Sequence, residues 1–490
     1  MVENYQLEKC ETIRDLLNIR AEKYADIPLF VYWDKEHSSQ TAVSSKVFEK
    51  QVIRLGDWFL KQGFHQKKIA IYGENSYNWI LTYFAVVCTG NIAVLMDYHL
   101  SSEELKDLLL FSDCDAVCFS SDYEDVAKEL KGRMTIAFCE FADLHRIALC
   151  DDESDGSCEN FMHEPVSSGD LAVIAYTSGV TGNRKGVMLT HRNLLEDWSG
   201  FLHQTNISGR VLLLLPLFHL YGLATMMVCL MRGSTVYICE SMRYAALDIA
   251  AVKPRVISVV PAMLPALFQV FDKINENYGT AFFCGGAPTD NGWKRRFASV
   301  HVDLYYGYGM TECGPIIASN TELYDKPDGT IKVLKNNEVR IDEPDENGIG
   351  EVLVKGPNVM RGYYKMPEET AAVLKDGWMH TGDLGRLDED GFLEITGRKK
   401  NLLVLPNGEN VAPEALEKKV MEINGVSECM AYLENGTLVM EIYVQSGEEK
   451  DIRDAVYLIN KTVEASHRIG KVVFRDQPFE KNSVGKTMRK

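Results

Sequence analysis

Between Thr177 and Gly186 the chain concentrates three hydroxyl residues, three glycines and a lysine within ten positions, in the order Thr177-Ser178-Gly179-Val180-Thr181-Gly182-Asn183-Arg184-Lys185-Gly186. Glycines let a backbone approach a phosphate closely, hydroxyl and N–H groups donate to its oxygens, and a lysine adds a point charge. The segment reads as an anion-binding loop. It is not a Walker A loop, which needs glycine immediately before the lysine and Ser or Thr immediately after. Arg184 and Gly186 occupy those places. Gly485-Lys486-Thr487 fails the same test, because Glu480 stands where the first glycine belongs.

Further runs carry compatible chemistry. Tyr306-Gly307-Tyr308-Gly309-Met310-Thr311-Glu312 puts aromatic rings, a hydroxyl and a carboxylate beside glycines. Asp376-Gly377-Trp378-Met379-His380-Thr381-Gly382-Asp383-Leu384-Gly385 is followed by Gly397-Arg398-Lys399-Lys400, and the chain closes with Pro478-Phe479-Glu480-Lys481-Asn482-Ser483-Val484-Gly485-Lys486-Thr487. Taken in this order, the runs resemble the motifs of the adenylate-forming (AMP-binding) superfamily, which contains acyl-CoA synthetases, beetle luciferases and the adenylation domains of nonribosomal peptide synthetases. The likeness is strongest to stand-alone acyl-CoA synthetases. Val180 stands where that family usually has Thr or Ser, and Arg184 where it usually has Pro. Losing the proline makes the loop less rigid.

The resemblance implies an ATP site in which Thr177, Ser178, Gly179, Thr181, Gly182 and Lys185 cradle phosphate, with Gly286, Ala287 and Gly309 beside the nucleotide. It implies that Tyr308 stacks on adenine, Thr311 contacts the α-phosphate and Glu312 helps bind Mg2+, roles suited to a ring and to a hard carboxylate. Asp383 would accept hydrogen bonds from both ribose hydroxyls, for which a carboxylate has two oxygens. Arg398 would reach the nucleotide, Lys400 would be the interdomain hinge residue, and Lys486 the catalytic lysine bridging acid and nucleotide. The implied reaction is attack by a carboxylate on the α-phosphate of ATP, expelling pyrophosphate, then transfer of the acyl group to a thiol. Two anions must be brought together, so positioning and charge neutralisation dominate and no protein nucleophile is needed.

For the acid, Leu215-Pro216-Leu217-Phe218-His219-Leu220-Tyr221-Gly222 resembles the acyl-CoA synthetase segment in which the aromatic and the histidine border the acyl pocket, to which Gly285 is also assigned. Amino-acid-activating relatives place Asp after the Phe, so His219 disfavours an α-amino acid and leaves a fatty or aryl acid. A satisfied core histidine is the alternative reading of His219. Cys313-Gly314-Pro315 and the apolar segment from Val256 to Phe271 also resemble bacterial fatty-acid-activating members. CoA is the expected thiol, since no carrier domain follows Lys486; the phosphopantetheine of a separate carrier protein is the alternative. Gly408 matches a glycine that lets the pantetheine pass, although Asn-Gly also simply forms turns.

These residues need elements to hold them. Short β-branched runs alternate with helical patterns: Lys68 to Tyr72, Trp79 to Cys88, Ile92 to Leu95, then a helix start at Ser101-Ser102-Glu103-Glu104. That alternation predicts βαβ units and a parallel sheet in an α/β protein. The stretch from Asp151 to Glu159 reads as an exposed loop. After about Asn320, short strands broken by Asp325-Lys326-Pro327-Asp328-Gly329 and Asp345-Glu346-Asn347-Gly348 predict a small β-rich subdomain. Beyond Arg398 a compact α+β unit is expected, with helices from Pro413 and Asp451, a hairpin turning at Asn435-Gly436, and a strand from Lys471 to Phe474. The expected division is a domain over 1–397, a hinge over 398–401 and a small mobile C-terminal domain over 402–490.

A chain of 490 residues exceeds one ordinary core and must divide. Its net charge of -18, from 52 Lys plus Arg against 70 Asp plus Glu, gives no attraction to phosphate backbones or anionic lipid, so nucleic acid is excluded as a general partner. The 12 cysteines show no zinc-like spacing and, with no signal-like N-terminus, point to reduced thiols in a cytoplasmic enzyme. Two uncharged stretches, Asn75 to Met96 and Val211 to Met231, are long enough to span a bilayer. Internal Pro216, His219, Gly222 and Gly90 instead divide each into a buried strand and a buried helix.

Overall fold

The computed structural model describes residues 10–150, 158–177, 184–205, 208–274, 276–287, 292–320, 329–405, 410–444, 448–463, 467–481, 487 and 489. Two large sheets, an antiparallel sheet and a small α+β domain make up the fold.

The first sheet runs Gly362–Tyr363, Gly186–Thr190, Leu171–Tyr176, Ile92–Met96, Lys68–Tyr72, Ala116–Phe119, Ala137–Glu140. Its last five strands are parallel. The βαβ alternation is as expected. The helix Tyr77–Val87 begins at Ser76, whose side chain accepts from the Trp79 N–H, and the next begins at Ser101 with Glu104 completing a capping box. Strand Gly186–Thr190 is antiparallel to Leu171–Tyr176, so Thr177 and Lys185 stand at the ends of two arms of a hairpin. The second sheet runs Ala318–Ser319, Val302–Tyr308, Thr280–Cys284, Val256–Val259, Arg210–Leu213, Thr235–Ile238, Pro28–Trp33, Gln40–Ser44. Continuously apolar strands such as Ala116–Phe119 are buried along their length, as a parallel sheet covered on both faces requires.

Both suspected membrane stretches prove to be a strand and a buried helix. Helix Leu220–Met231 has only 12 residues, and no helix among the described residues is long and apolar enough to cross a membrane.

The antiparallel sheet orders Thr330–Lys332, Phe392–Arg398, Trp378–Leu387, Gly350–Lys355, Glu338–Asp342, which is the β-rich subdomain. Beyond it, strands Val426–Glu434, Thr437–Val444 and Lys471–Arg475 pack on helices Pro413–Met421 and Glu449–Ile459 around a separate core of Leu416, Val420, Met440, Ile442, Ile452 and Val456. Asn435 and Gly436 both take positive φ, 49° and 77°, as a type I′ hairpin turn demands. The second helix starts at Glu449, two residues before Asp451, and the last strand extends to Arg475. Of the expected loop at Asp151 to Glu159, residues 151–157 lie outside the described residues. Glu159 instead opens a short helix, Glu159–His163.

Candidate active site

The carboxyl ends of the parallel strands open into one cavity of about 1190 Å³. Ligand sites in open α/β sheets lie at this edge. Gly285 and Gly286 follow strand Thr280–Cys284, and Gly309 to Glu312 follow Val302–Tyr308. Thr177 and Lys185 stand at the base of the hairpin, where the Thr177 N–H donates to the Lys185 carbonyl at 3.0 Å. Thr381, Gly382, Arg398 and Lys400 close the cavity from the antiparallel sheet and the turn after it.

Asp383 is 3% exposed, and each of its oxygens is held. The Tyr308 hydroxyl donates to Oδ2 at 2.8 Å, and Arg398 Nε donates to Oδ1 at 2.8 Å. Carboxylate oxygens carry further lone pairs, so these bonds orient the group without exhausting it. The second buried carboxylate is Glu312, 8% exposed, which accepts from the Tyr363 hydroxyl at 2.8 Å. Burial raises its pKa, while Tyr363, Arg398 and Lys185 pull the other way. Lys185 Nζ stands 4.6 Å from the Tyr363 ring centroid. The turn carrying Glu312 exists because position 309 is glycine: a Cβ there would lie 1.8 Å from the Pro315 carbonyl oxygen.

Two further groups brace this end. Asp197 is fully buried and accepts from the Ile316 N–H at 2.9 Å and from Asn358 Nδ2 at 3.3 Å, pinning the loop behind Glu312. Burial drives its pKa well above the carboxylate range. Glu351 accepts from the Gly382 N–H at 3.1 Å and from Lys399 Nζ at 3.0 Å, so it ties the strand bearing Asp383 to the turn beyond Arg398.

At the apolar end, Asn75 clamps the turn before His219: its Nδ2 donates to the Leu215 carbonyl at 2.9 Å and its Oδ1 accepts from the Leu217 N–H at 2.8 Å. His219 lines the cavity with Nε2 enclosed and unbonded among the described residues, and burial pushes its imidazole down to about 4. It is neutral at physiological pH.

Of the residues singled out from sequence, Thr177, Lys185, His219, Gly285, Gly286, Tyr308, Gly309, Thr311, Glu312, Arg398 and Lys400 all line this one cavity, and Asp383 is bonded to two of them. Phe218 does not: it is packed into the core edge-on to Tyr98, with ring centroids 5.3 Å apart. Ala287 follows Gly286 without lining the cavity. Ser178, Gly179, Thr181, Gly182, Gly408 and Lys486 lie outside the described residues. Arg184 has acidic neighbours, Glu104 at 3.6 Å and Asp97 at 4.0 Å. Sequence reasoning missed Tyr363, Asp197 and Glu351, which belong to no run of chemistry-bearing residues and act only through the fold.

A model of the AMP-binding enzyme family matches residues 17–364. The chain is 29% identical over 422 residues to a 2-succinylbenzoate–CoA ligase of Oceanobacillus iheyensis, covering 84% of this chain and 82% of that protein. It is 27% identical over 548 aligned positions to a long-chain-fatty-acid–CoA ligase of Salmonella typhimurium, covering 99% and 94%. Among solved structures, the o-succinylbenzoate CoA synthetase of Bacillus subtilis in complex with its acyl-adenylate intermediate superposes with a TM-score of 0.80 at 23% identity, over 97% of this chain and 96% of that one. The chain belongs to the AMP-binding enzyme family and is an adenylate-forming acid–thiol ligase.

Proposed function

We propose that this chain activates a fatty or aryl carboxylic acid with ATP, releasing pyrophosphate, and transfers the acyl group from AMP to the thiol of CoA. The observation that carries this reading is the convergence of two buried, separately anchored carboxylates, Asp383 and Glu312, with an apolar pocket in one cavity. In this reading Asp383, preoriented by Tyr308 and Arg398, holds the ribose. Tyr308 and the glycines at 285, 286 and 309 border the adenine, and Thr311 donates to the α-phosphate. Thr177 and Lys185 meet the outer phosphates together with Ser178, Gly179, Thr181 and Gly182.

Glu312 suits magnesium, a hard cation taken up through one or two carboxylates plus phosphate oxygens. Its buried position gives the ion a reason to bind, because an uncompensated buried carboxylate is costly. When bound, the ion supplies neutralisation of phosphate charge. The acid's carboxylate oxygen attacks the α-phosphorus, the bond to the β-phosphate oxygen breaks and pyrophosphate departs with both bonding electrons. In the second half the thiol sulfur attacks the acyl carbon and AMP leaves. Lys486 is assigned to the first half. Residues 1–397 and 402–490 are assigned to two domains that turn about 398–401, a division supported by the separate core beyond Leu405.

The neutral His219, in place of a carboxylate, supports an acid without an α-ammonium group. The test is acid-dependent exchange of labelled pyrophosphate into ATP across fatty, aryl and amino acids, followed by mass spectrometry of products formed with CoA. Exchange with a fatty or aryl acid and a CoA thioester product is expected; absence of exchange with every acid sinks the proposal. Exchange without a CoA thioester would transfer the second half to a carrier protein's phosphopantetheine.

A further inference from the structure

One face of helix Leu220–Met231 lines the cavity from end to end. Tyr221, Thr225, Val228 and Arg232 follow one another at spacings of four, three and four residues, the stripe of a single helical face. His219 is the N-cap and Arg232 the C-cap, so the two stand roughly 20 Å apart along the axis at about 1.5 Å per residue. Phe201, in the last turn of helix His191–Gln204, and its C-cap Thr205 line the same cavity.

Arg232 is unusual in that apolar setting. Its Nε is enclosed and has no hydrogen-bond partner among the described residues, and one Nη donates to the Leu202 carbonyl. It makes no ion pair with a carboxylate among the described residues, and burial lowers its pKa with Cys229 as the largest opposing influence. Capping the helix does not account for it. Arg20, fully buried, already donates to the Leu230 carbonyl at 2.9 Å and to the Ser234 carbonyl at 3.1 Å at this same helix end. With Nε sealed away and one Nη on Leu202, the part of the guanidinium left to the cavity is its other Nη, and a cavity-lining arginine without a carboxylate partner among the described residues matches an oxyanion, which it binds through charge-assisted hydrogen bonds. A hydrocarbon terminus packed there would strip water from the accessible part of the guanidinium without replacing its hydrogen bonds, which costs binding.

We propose that Arg232 receives the distal end of the acid, so that the preferred substrate has an extended apolar middle and a second carboxylate at the far end from the one activated. This rests on the adenylation reading above and names the substrate class of that site. An extended chain advances only about 1.25 Å per C–C bond of about 1.5 Å, so a span of roughly 20 Å corresponds to on the order of a dozen to sixteen carbons.

The test compares kcat/KM for dodecanedioic acid and dodecanoic acid in AMP formation by the full chain, then repeats the pair with Arg232→Met and Arg232→Lys, each first checked by thermal unfolding. The wild type should prefer the diacid by about tenfold or more, the scale of a hydrogen bond to a charged group. Arg232→Met should abolish that preference, and Arg232→Lys should retain part of it. A wild type that uses dodecanoic acid as well as or better than the diacid, or a preference equal in wild type and Arg232→Met, overturns the proposal. Should Arg232→Met fail to fold, the wild-type preference alone decides. A chain inert towards every fatty, aryl and dicarboxylic acid refutes the adenylation reading itself, whereas an active chain without the preference refutes only the role of Arg232.

Discussion

Asp383 and Arg398 are direct partners across neighbouring antiparallel strands, and Arg398 Nε donates to Asp383 Oδ1 at 2.8 Å. Arg398 is thereby both a brace for a buried carboxylate and a lining group of the cavity. Replacing it by leucine removes a hydrogen bond to a charged acceptor, so kcat/KM for ATP should fall about ten- to a hundredfold in pyrophosphate exchange. The loss should be similar for every acid, because the proposed function assigns this contact to the nucleotide. An unchanged ATP dependence would count against the assignment of Asp383 to the nucleotide.

Tyr363→Phe removes the hydroxyl donating to Glu312. Burial already raises this carboxyl, and the lost hydrogen bond raises it further. More of it is then protonated at a given pH, so the acid limb of kcat/KM should move to higher pH and half-maximal activity should need more magnesium, by about tenfold. A magnesium titration at two pH values checks both shifts.

Asp197 supplies a stability test. Its pKa is raised in the folded state, so the folded chain binds its proton more tightly than the unfolded chain. The stabilisation this gives is complete below the ordinary carboxylate range and is lost as pH rises through the folded value. Asp197→Asn keeps an oxygen for the Ile316 N–H and the Asn358 amide but cannot ionise. It should raise Tm at neutral pH by about 2–4 °C and flatten its dependence on pH, with little difference from wild type in acid. A lower Tm at neutral pH would show that the charge is compensated.

Lys400→Pro probes the turn between the domains. Lys400 is exposed and lies within the short turn Lys399–Asn401, where a fixed φ is tolerated. Pyrophosphate exchange should stay within about threefold of wild type, while thioester formation with CoA should fall at least about tenfold if the second half requires the proposed rotation. Retention of both activities would remove the hinge from the mechanism.

Much of the architecture was legible in the sequence because its local signals agree with its global ones. Ser101 and Glu104 form the capping box their spacing implies, Asn435-Gly436 makes the hairpin, and the apolar run at Ile92 is a strand of the parallel sheet. The runs around Thr177, Tyr308, Asp383 and Arg398 could be recognised because chemistry-bearing residues crowd within a few positions. Tyr363 could not, since nothing near it says that a two-residue strand will lie beside Glu312, 51 positions earlier. Phe218 misled for the opposite reason: its neighbour His219 faces the cavity, but consecutive residues at a helix start point in different directions, and its own ring is taken by Tyr98. Arg232 carried no sequence signal at all, because an arginine after an apolar helix is ordinarily a solvated cap.

The rung formed by Asp383 and Arg398 is the last one before the turn Lys399–Asn401. In any rotation, displacement grows with distance from the axis. A swing of the small domain begun at that turn would leave the Arg398 guanidinium almost stationary and carry the outlying parts of residues 402–490 through a wide arc. Under the proposed scheme the contact assigned to the sugar would sit at the still centre of that movement, so AMP would not need to be released and recaptured between the two half-reactions.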